Sequence, residues 1–133
     1  MPKASHPTEV CTTDAPAPVG PYSQAIRANG LVFVSGQIPL DPKTGEKVGG
    51  EIEDEARQVL ANLSAVLEAS GSSMDRVVKA TVYLTDLTLF PRVNAVYAEA
   101  FSSEPAPARV TVGVAALPLG AQVEIDAIGL TDA

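Results

Sequence analysis

The sequence predicts an α+β sandwich, one mainly antiparallel sheet carrying two helices on a single face. Three observations lead there. Apolar and polar residues alternate in short runs such as Val78, Ala80, Val82, Leu84 against Lys79, Thr81, Tyr83, the mark of half-buried strands. Two longer stretches repeat apolar residues at helical spacing instead. These elements follow one another as β-β-α-β-α-β-β without a repeat, within 133 residues that suit one core.

Residues 1–14 carry no periodicity and read as a mobile tail ahead of a single domain over 15–133. Pro16, Pro18 and Pro21 then stiffen an extended segment, and Tyr22 stands at its end as a packing or rim tyrosine. Asn29-Gly30 between residues 25–27 and 31–35 is hairpin chemistry. Asp41-Pro42-Lys43-Thr44-Gly45 is a turn, and Val48-Gly49-Gly50 completes a loop.

Ile52, Ala56, Val59, Leu60, Leu63, Val66 and Leu67 form one helical stripe. Glu51, Glu53, Asp54 and Glu55 crowd its first turn, where negative charge complements the helix dipole, and Gly71 supplies the stop. A strand over residues 78–84 follows. Thr85-Asp86-Leu87-Thr88 leads into a second helix with Pro91 in its first turn. Phe90, Val93, Tyr97, Ala100 and Phe101 make its buried face, with Asn94 among them. Two last strands lie on either side of Leu117-Pro118-Leu119-Gly120.

The composition excludes several chemistries. His6 is the only histidine and lies in a Pro-rich tail, which closes Ser-His-Asp, Cys-His and His-metal sites. Cys11 is the only cysteine, so no intrachain disulfide forms. No Gly-rich nucleotide fingerprint is present. A net charge of −7 without a Lys/Arg run argues against nucleic acid. No signal-peptide core, membrane span or basic amphipathic helix is found, so a cytoplasmic setting is expected.

The last two strands carry the candidate site. Val110, Val112 and Val114 alternate with Arg109, Thr111 and Gly113, and Val123, Ile125 and Ala127 alternate with Gln122, Glu124 and Asp126. If both valine sets face the helices, Arg109, Thr111, Glu124 and Asp126 share the other face with Lys79, Thr81 and Tyr83. Tyr83 and Ile128 would leave apolar patches there, which fits an interface between identical subunits.

The ordered motifs Gly20-Pro21-Tyr22-Ser23-Gln24-Ala25, Ser35-Gly36-Gln37-Ile38-Pro39, Asp41-Pro42-Lys43-Thr44-Gly45, Val93-Asn94-Ala95-Val96-Tyr97, Pro107-Ala108-Arg109 and Val123-Glu124-Ile125 resemble those of the reactive intermediate deaminases, the RidA or Rid family. The resemblance spans residues 15–130. It implies a chorismate-mutase-like fold assembled as a homotrimer, with active sites between subunits and the strands at Arg109 and Glu124 flanking the strand at 78–84. It implies hydrolysis of small 2-imino acids, or enamines such as 2-aminoacrylate, to 2-keto acids and ammonia without metal or cofactor. Carried over, Arg109 binds the substrate carboxylate, Glu124 orients water or handles the proton, Tyr22 lines the cleft, and Ser35, Gly36 and Asn94 shape it. Thr111 stands where many members have cysteine, so a thiol nucleophile is missing and a hydroxyl is offered instead. Two other readings are a non-catalytic trimeric module that binds small carboxylates, and action on RNA.

Overall fold

A computed structural model describes residues 6–132. Six strands form one sheet: β1 (Thr8–Val10), β2 (Ala25–Ala28), β3 (Leu31–Gln37), β4 (Val77–Leu84), β5 (Ala108–Gly113) and β6 (Val123–Leu130). Their spatial order is β1-β2-β3-β6-β4-β5. Only β4 and β5 pair in parallel; the other neighbours are antiparallel. Two helices, α1 (Ile52–Ala69) and α2 (Phe90–Ala100), pack against each other over one face. The expected α+β sandwich is therefore present, and β6 and β5 flank β4.

Each element has a local cause. Asn29 and Gly30 adopt φ of 54° and 77°, closing the β2–β3 hairpin with left-handed residues that match the strand twist. In α1 the whole predicted stripe from Ile52 to Leu67 is buried. Its start is fixed by a capping box in which the Asp54 carboxylate accepts the Glu51 N–H at 2.9 Å. Gly71 follows the end at φ 80°. The acidic cluster is thus a helix end, and Arg92 of α2 ties it down by donating to Glu53 at 2.7 Å and Glu51 at 3.0 Å. Asp86 accepts the Thr88 N–H at 3.0 Å and opens the 3-10 turn that precedes α2. Leu63, Leu67, Val82, Leu84 and Ile125 lie fully buried between the layers. Burying each of them contributes about 1.5–3 kcal/mol.

Two expectations are corrected. Residues 1–5 lie outside the described residues, but the rest of the expected tail is not free. Thr8–Val10 extend the sheet beyond β2, Val10 is buried, and Gln24 clasps the following segment. Its amide accepts the Thr12 N–H at 2.7 Å and donates to the carbonyls of Thr12 and Pro16. The second correction concerns β5. Its register sets Arg109 beside Ala80 and Thr111 beside Val82, on the helix side, and Val110 and Val112 beside Thr81 and Tyr83, on the open side. The expected assignment was the reverse. β5 is an edge strand, so its valines are 43% and 37% exposed instead of sealed under the helices. Alternation gives two faces, but at an edge it does not say which one the core takes.

Candidate active site

The open side of the sheet carries the first half of the site. Glu124 sits opposite Tyr83 in the β6–β4 register and lines a cleft of about 350 Å³. Tyr22, Ser35 and Gly36 line this cleft together with Val19, Ile38 and Pro118. Gly36 falls where the β3–β6 register shifts, and a Cβ there would lie 1.8 Å from Glu124 Oε2, so only glycine lets the carboxylate lie against the strand. Ser35 Oγ donates to the Ser23 carbonyl at 2.6 Å, and the Val19 N–H donates to the Tyr22 hydroxyl at 3.3 Å, which fixes the cleft wall. Burial, and after it the negative charge of Asp126, push the Glu124 carboxyl above its ordinary range. Asp126 itself accepts the Tyr83 hydroxyl at 2.8 Å, and that hydrogen bond is the first cause of a raised Tyr83 pKa.

The second half lies on the helix side, where β5 meets α2. Arg109 Nη1 donates to Asn94 Oδ1 at 2.6 Å. The guanidinium carbon stands 4.7 Å from the centre of the Tyr97 ring and 5.3 Å from that of Phe90. Aromatic faces and one amide therefore hold the cation, an arrangement that restricts its rotation and leaves further N–H groups free. Thr111 Oγ1 and the Tyr97 hydroxyl are both buried with no hydrogen-bond partner among the described residues. Burial raises the Tyr97 pKa, with Arg109 opposing.

The fold thus gathers the predicted residues into two groups and not one. Tyr22, Ser35, Gly36 and Glu124 stand together on the open face; Arg109, Asn94 and Thr111 stand together on the helix face. The expectation that Arg109 and Thr111 share a surface with Glu124 and Asp126 within one chain does not hold, because β5 presents its opposite side. Val19, Ile38 and Pro118 were not anticipated as cleft residues. Phe90 and Tyr97 belong to the stripe expected to be core, and the polar Asn94 midway along it is the signal in the sequence that this face meets more than core.

Comparison with known proteins places the chain among relatives that cover it almost entirely. A family profile described as Endoribonuclease L-PSP matches residues 12–131. A RutC family protein of Pyrococcus horikoshii is 55% identical over 119 residues, which are 90% of this chain and 94% of that protein. The chloroplastic Reactive Intermediate Deaminase A of Arabidopsis thaliana is 52% identical over 119 residues, 90% of this chain and 63% of the plant protein. Among solved structures, E. coli TdcF with bound serine superposes with a TM-score of 0.87 at 39% identity, covering 94% of this chain and 99% of that one.

Proposed function

The chain belongs to the Endoribonuclease L-PSP family, in which its relatives carry RutC and reactive intermediate deaminase names, and from that premise we propose that it hydrolyses reactive 2-imino acids. Substrates would include 2-iminobutanoate and, through its imine tautomer, 2-aminoacrylate. The observation that carries the mechanism is the split of the site: Arg109 is anchored on the helix face by Asn94, and Glu124 lies in a cleft on the open face. One chain cannot bring both to one small molecule. A second copy, seated against the open face, brings its Arg109 to the Glu124 cleft of the first. Phe33, Val110 and Val112 are 43%, 43% and 37% exposed on that face, an apolar surface suited to a symmetric partner. A closed homotrimer is the assembly we assign to it, working in the cytoplasm.

In this scheme the guanidinium grips the substrate carboxylate with two parallel N–H groups. The protonated C=N carbon is already electrophilic, so the protein need only hold it and aim water. Glu124 takes a proton from the attacking water as the C–O bond forms, and the resulting carbinolamine breaks its C–N bond. The iminium ion and one water become the 2-keto acid and an ammonium ion. Tyr22, Ser35 and Gly36 shape the Glu124 side, while Thr111 offers a hydroxyl beside Arg109.

E. coli TdcF, similar to this chain, is described with bound serine, so a module that only binds small carboxylates is the second reading. The ribonuclease sense of the family description is not adopted: the net charge is −7, and Glu124 and Asp126 would repel a phosphate backbone.

Mixing variants tests both the chemistry and the split site. With 2-iminobutanoate generated by a threonine dehydratase, wild type should speed 2-ketobutanoate formation, and Arg109→Ala and Glu124→Gln should each be inactive. Unfolding and reassembling the two variants together should restore activity in roughly a quarter of the inter-subunit sites. Wild-type protein that binds carboxylates without accelerating hydrolysis supports the module. Inactive mixtures that assemble normally refute the shared site.

A further inference from the structure

We propose that Glu55 and Asn62, two buried polar side chains of α1, are positioning residues that hold the two walls of the Glu124 cleft from the opposite side of the sheet. The proposal rests on the deaminase reading above and concerns what keeps its carboxylate in place. Glu55 and Asn62 are each 1% exposed, on a helix that otherwise buries only apolar residues. Two helical turns apart, they lie on one face, about 10 Å from each other along the axis. Burying a carboxylate and an amide there costs free energy unless each is well hydrogen-bonded, and their partners lie at the cleft.

Glu55 holds the entry to β6. Its Oε1 accepts the Gln122 N–H at 3.1 Å and its Oε2 accepts the Gln122 side-chain amide at 2.8 Å. Pro118, one cleft wall, stands in the turn that closes directly before Gln122, where the Ala121 N–H donates to the Pro118 carbonyl at 3.1 Å. Glu124 follows two residues after Gln122. Asn62 holds the other wall. An extra residue in β3 between Val34 and Gln37 interrupts the β3–β6 ladder where Gly36 meets Glu124, and past Gln37 the chain leaves the sheet. There Asn62 Nδ2 donates to the Leu40 carbonyl at 2.9 Å and to the Ile38 carbonyl at 3.2 Å, and Ile38 lines the cleft. Lys47 joins the two anchors, since it is bridged to Leu40 and pairs with Glu55 at 3.4 Å. Both segments flanking the carboxylate are thus fastened to one helix instead of to each other.

The test compares Asn62→Leu and Glu55→Leu with Val66→Ala, which weakens the same helix through packing alone. Rates are measured with 2-iminobutanoate generated by a threonine dehydratase, and the Glu124 pKa by carboxyl NMR titration of the assembled protein. In both Leu variants we expect kcat to fall about tenfold to a hundredfold, the cost of shifting a reacting group by up to about 1 Å, with KM within about twofold. Water entering the loosened cleft should bring the raised Glu124 pKa down towards the ordinary carboxylate range. Glu55→Gln keeps an oxygen for the Gln122 N–H and should recover most of kcat. Val66→Ala should lower Tm and leave kcat and the Glu124 pKa unchanged. If Glu55→Leu does not fold, Gln122→Ala removes the 2.8 Å bond at a half-buried position and should move both readouts in the same direction. Unchanged kcat and Glu124 pKa in folded Asn62→Leu overturn the inference. So does an equal loss in Val66→Ala, since any weakening of α1 would then suffice. A wild type that accelerates no imine overturns the deaminase reading, and the Glu124 titration alone then decides whether α1 fixes the cleft.

Discussion

Replacing Gly36 by alanine isolates what the position of Glu124 is worth. The new Cβ would lie 1.8 Å from Glu124 Oε2 and 2.8 Å from its carboxyl carbon, whereas ordinary contact begins at 3.4 Å. The carboxylate must therefore retreat by about 1.6 Å, since the β3 backbone is pinned between β2 and β6. A misplacement of about 1 Å at a reacting group costs on the order of 10²-fold in rate. On the proposed reading, in which Arg109 holds the substrate, we expect kcat for 2-iminobutanoate to fall about 100-fold while KM changes little. Stability should suffer by about 1 kcal/mol or less, the low end for overpacking, because the displaced atoms end a flexible, half-exposed side chain. Keto-acid release gives the rate and thermal melts give the stability. Melts in a Glu124→Ala background should erase even the small stability loss, because the clash is then gone. An unchanged kcat would refute the placement of Glu124 at the reaction. So would a large fall in Tm that survives in the Glu124→Ala background, since Gly36 would then serve the fold and not the carboxylate.

Three further outcomes follow from the same geometry. Asp126→Asn removes the like charge that helps raise the Glu124 pKa, so the acidic limb of kcat/KM against pH should move to lower pH; an unmoved limb refutes that coupling. The Arg92 guanidinium is the first cause holding the half-buried Glu53 carboxyl at about 2, so in Arg92→Leu an NMR titration should find its pKa raised towards the ordinary 4.5. That folded-state pKa is depressed, so its stabilising effect is present above pH 4.5 and fades as pH falls towards 2, and the variant should lose this part of its acid sensitivity. Buried Glu55 accepts the Gln122 N–H at 3.1 Å and the Gln122 side-chain amide at 2.8 Å, and pairs with Lys47 at 3.4 Å. Glu55→Ala should cost about 3 kcal/mol in denaturant unfolding, and Glu55→Gln clearly less.

The parts of the fold that periodicity controls were legible. The α1 stripe, the Asn29-Gly30 hairpin and the alternation of β4 and β6 each repeat a local rule often enough to be read from the chain. What escaped depends on relations between distant segments. β1 has three residues, too few to show a period, and it exists because Gln24 and β2 hold it from outside. The face taken by Arg109 depends on a parallel register with β4 that no local pattern encodes. Val19, Ile38 and Pro118 come from three separate loops and meet only in space. Alternation already put Glu124 among the candidate residues, and motif resemblance gave it and Tyr22 their roles.

The wrong face for Arg109 also explains how its charge stays available. Had Arg109 and Glu124 shared one surface of one chain, the guanidinium would have paired with Glu124 or Asp126, and a substrate carboxylate would have had to displace that ion pair. Arg92 illustrates the alternative: two carboxylates bind it and its charge is spent on joining the helices. Arg109 forms no salt bridge among the described residues, and its partners Asn94, Phe90 and Tyr97 are all neutral. They restrict its orientation without cancelling its charge, which is what a preformed anion grip requires. Glu124, on the far face, likewise keeps a carboxyl raised by burial and by Asp126 instead of one neutralised by a cation. On the proposed reading the two meet only when a second copy docks, and the substrate carboxylate then stands between them. The isolated chain should therefore hold both groups ready and do no chemistry, and activity per chain should fall on dilution below the assembly constant.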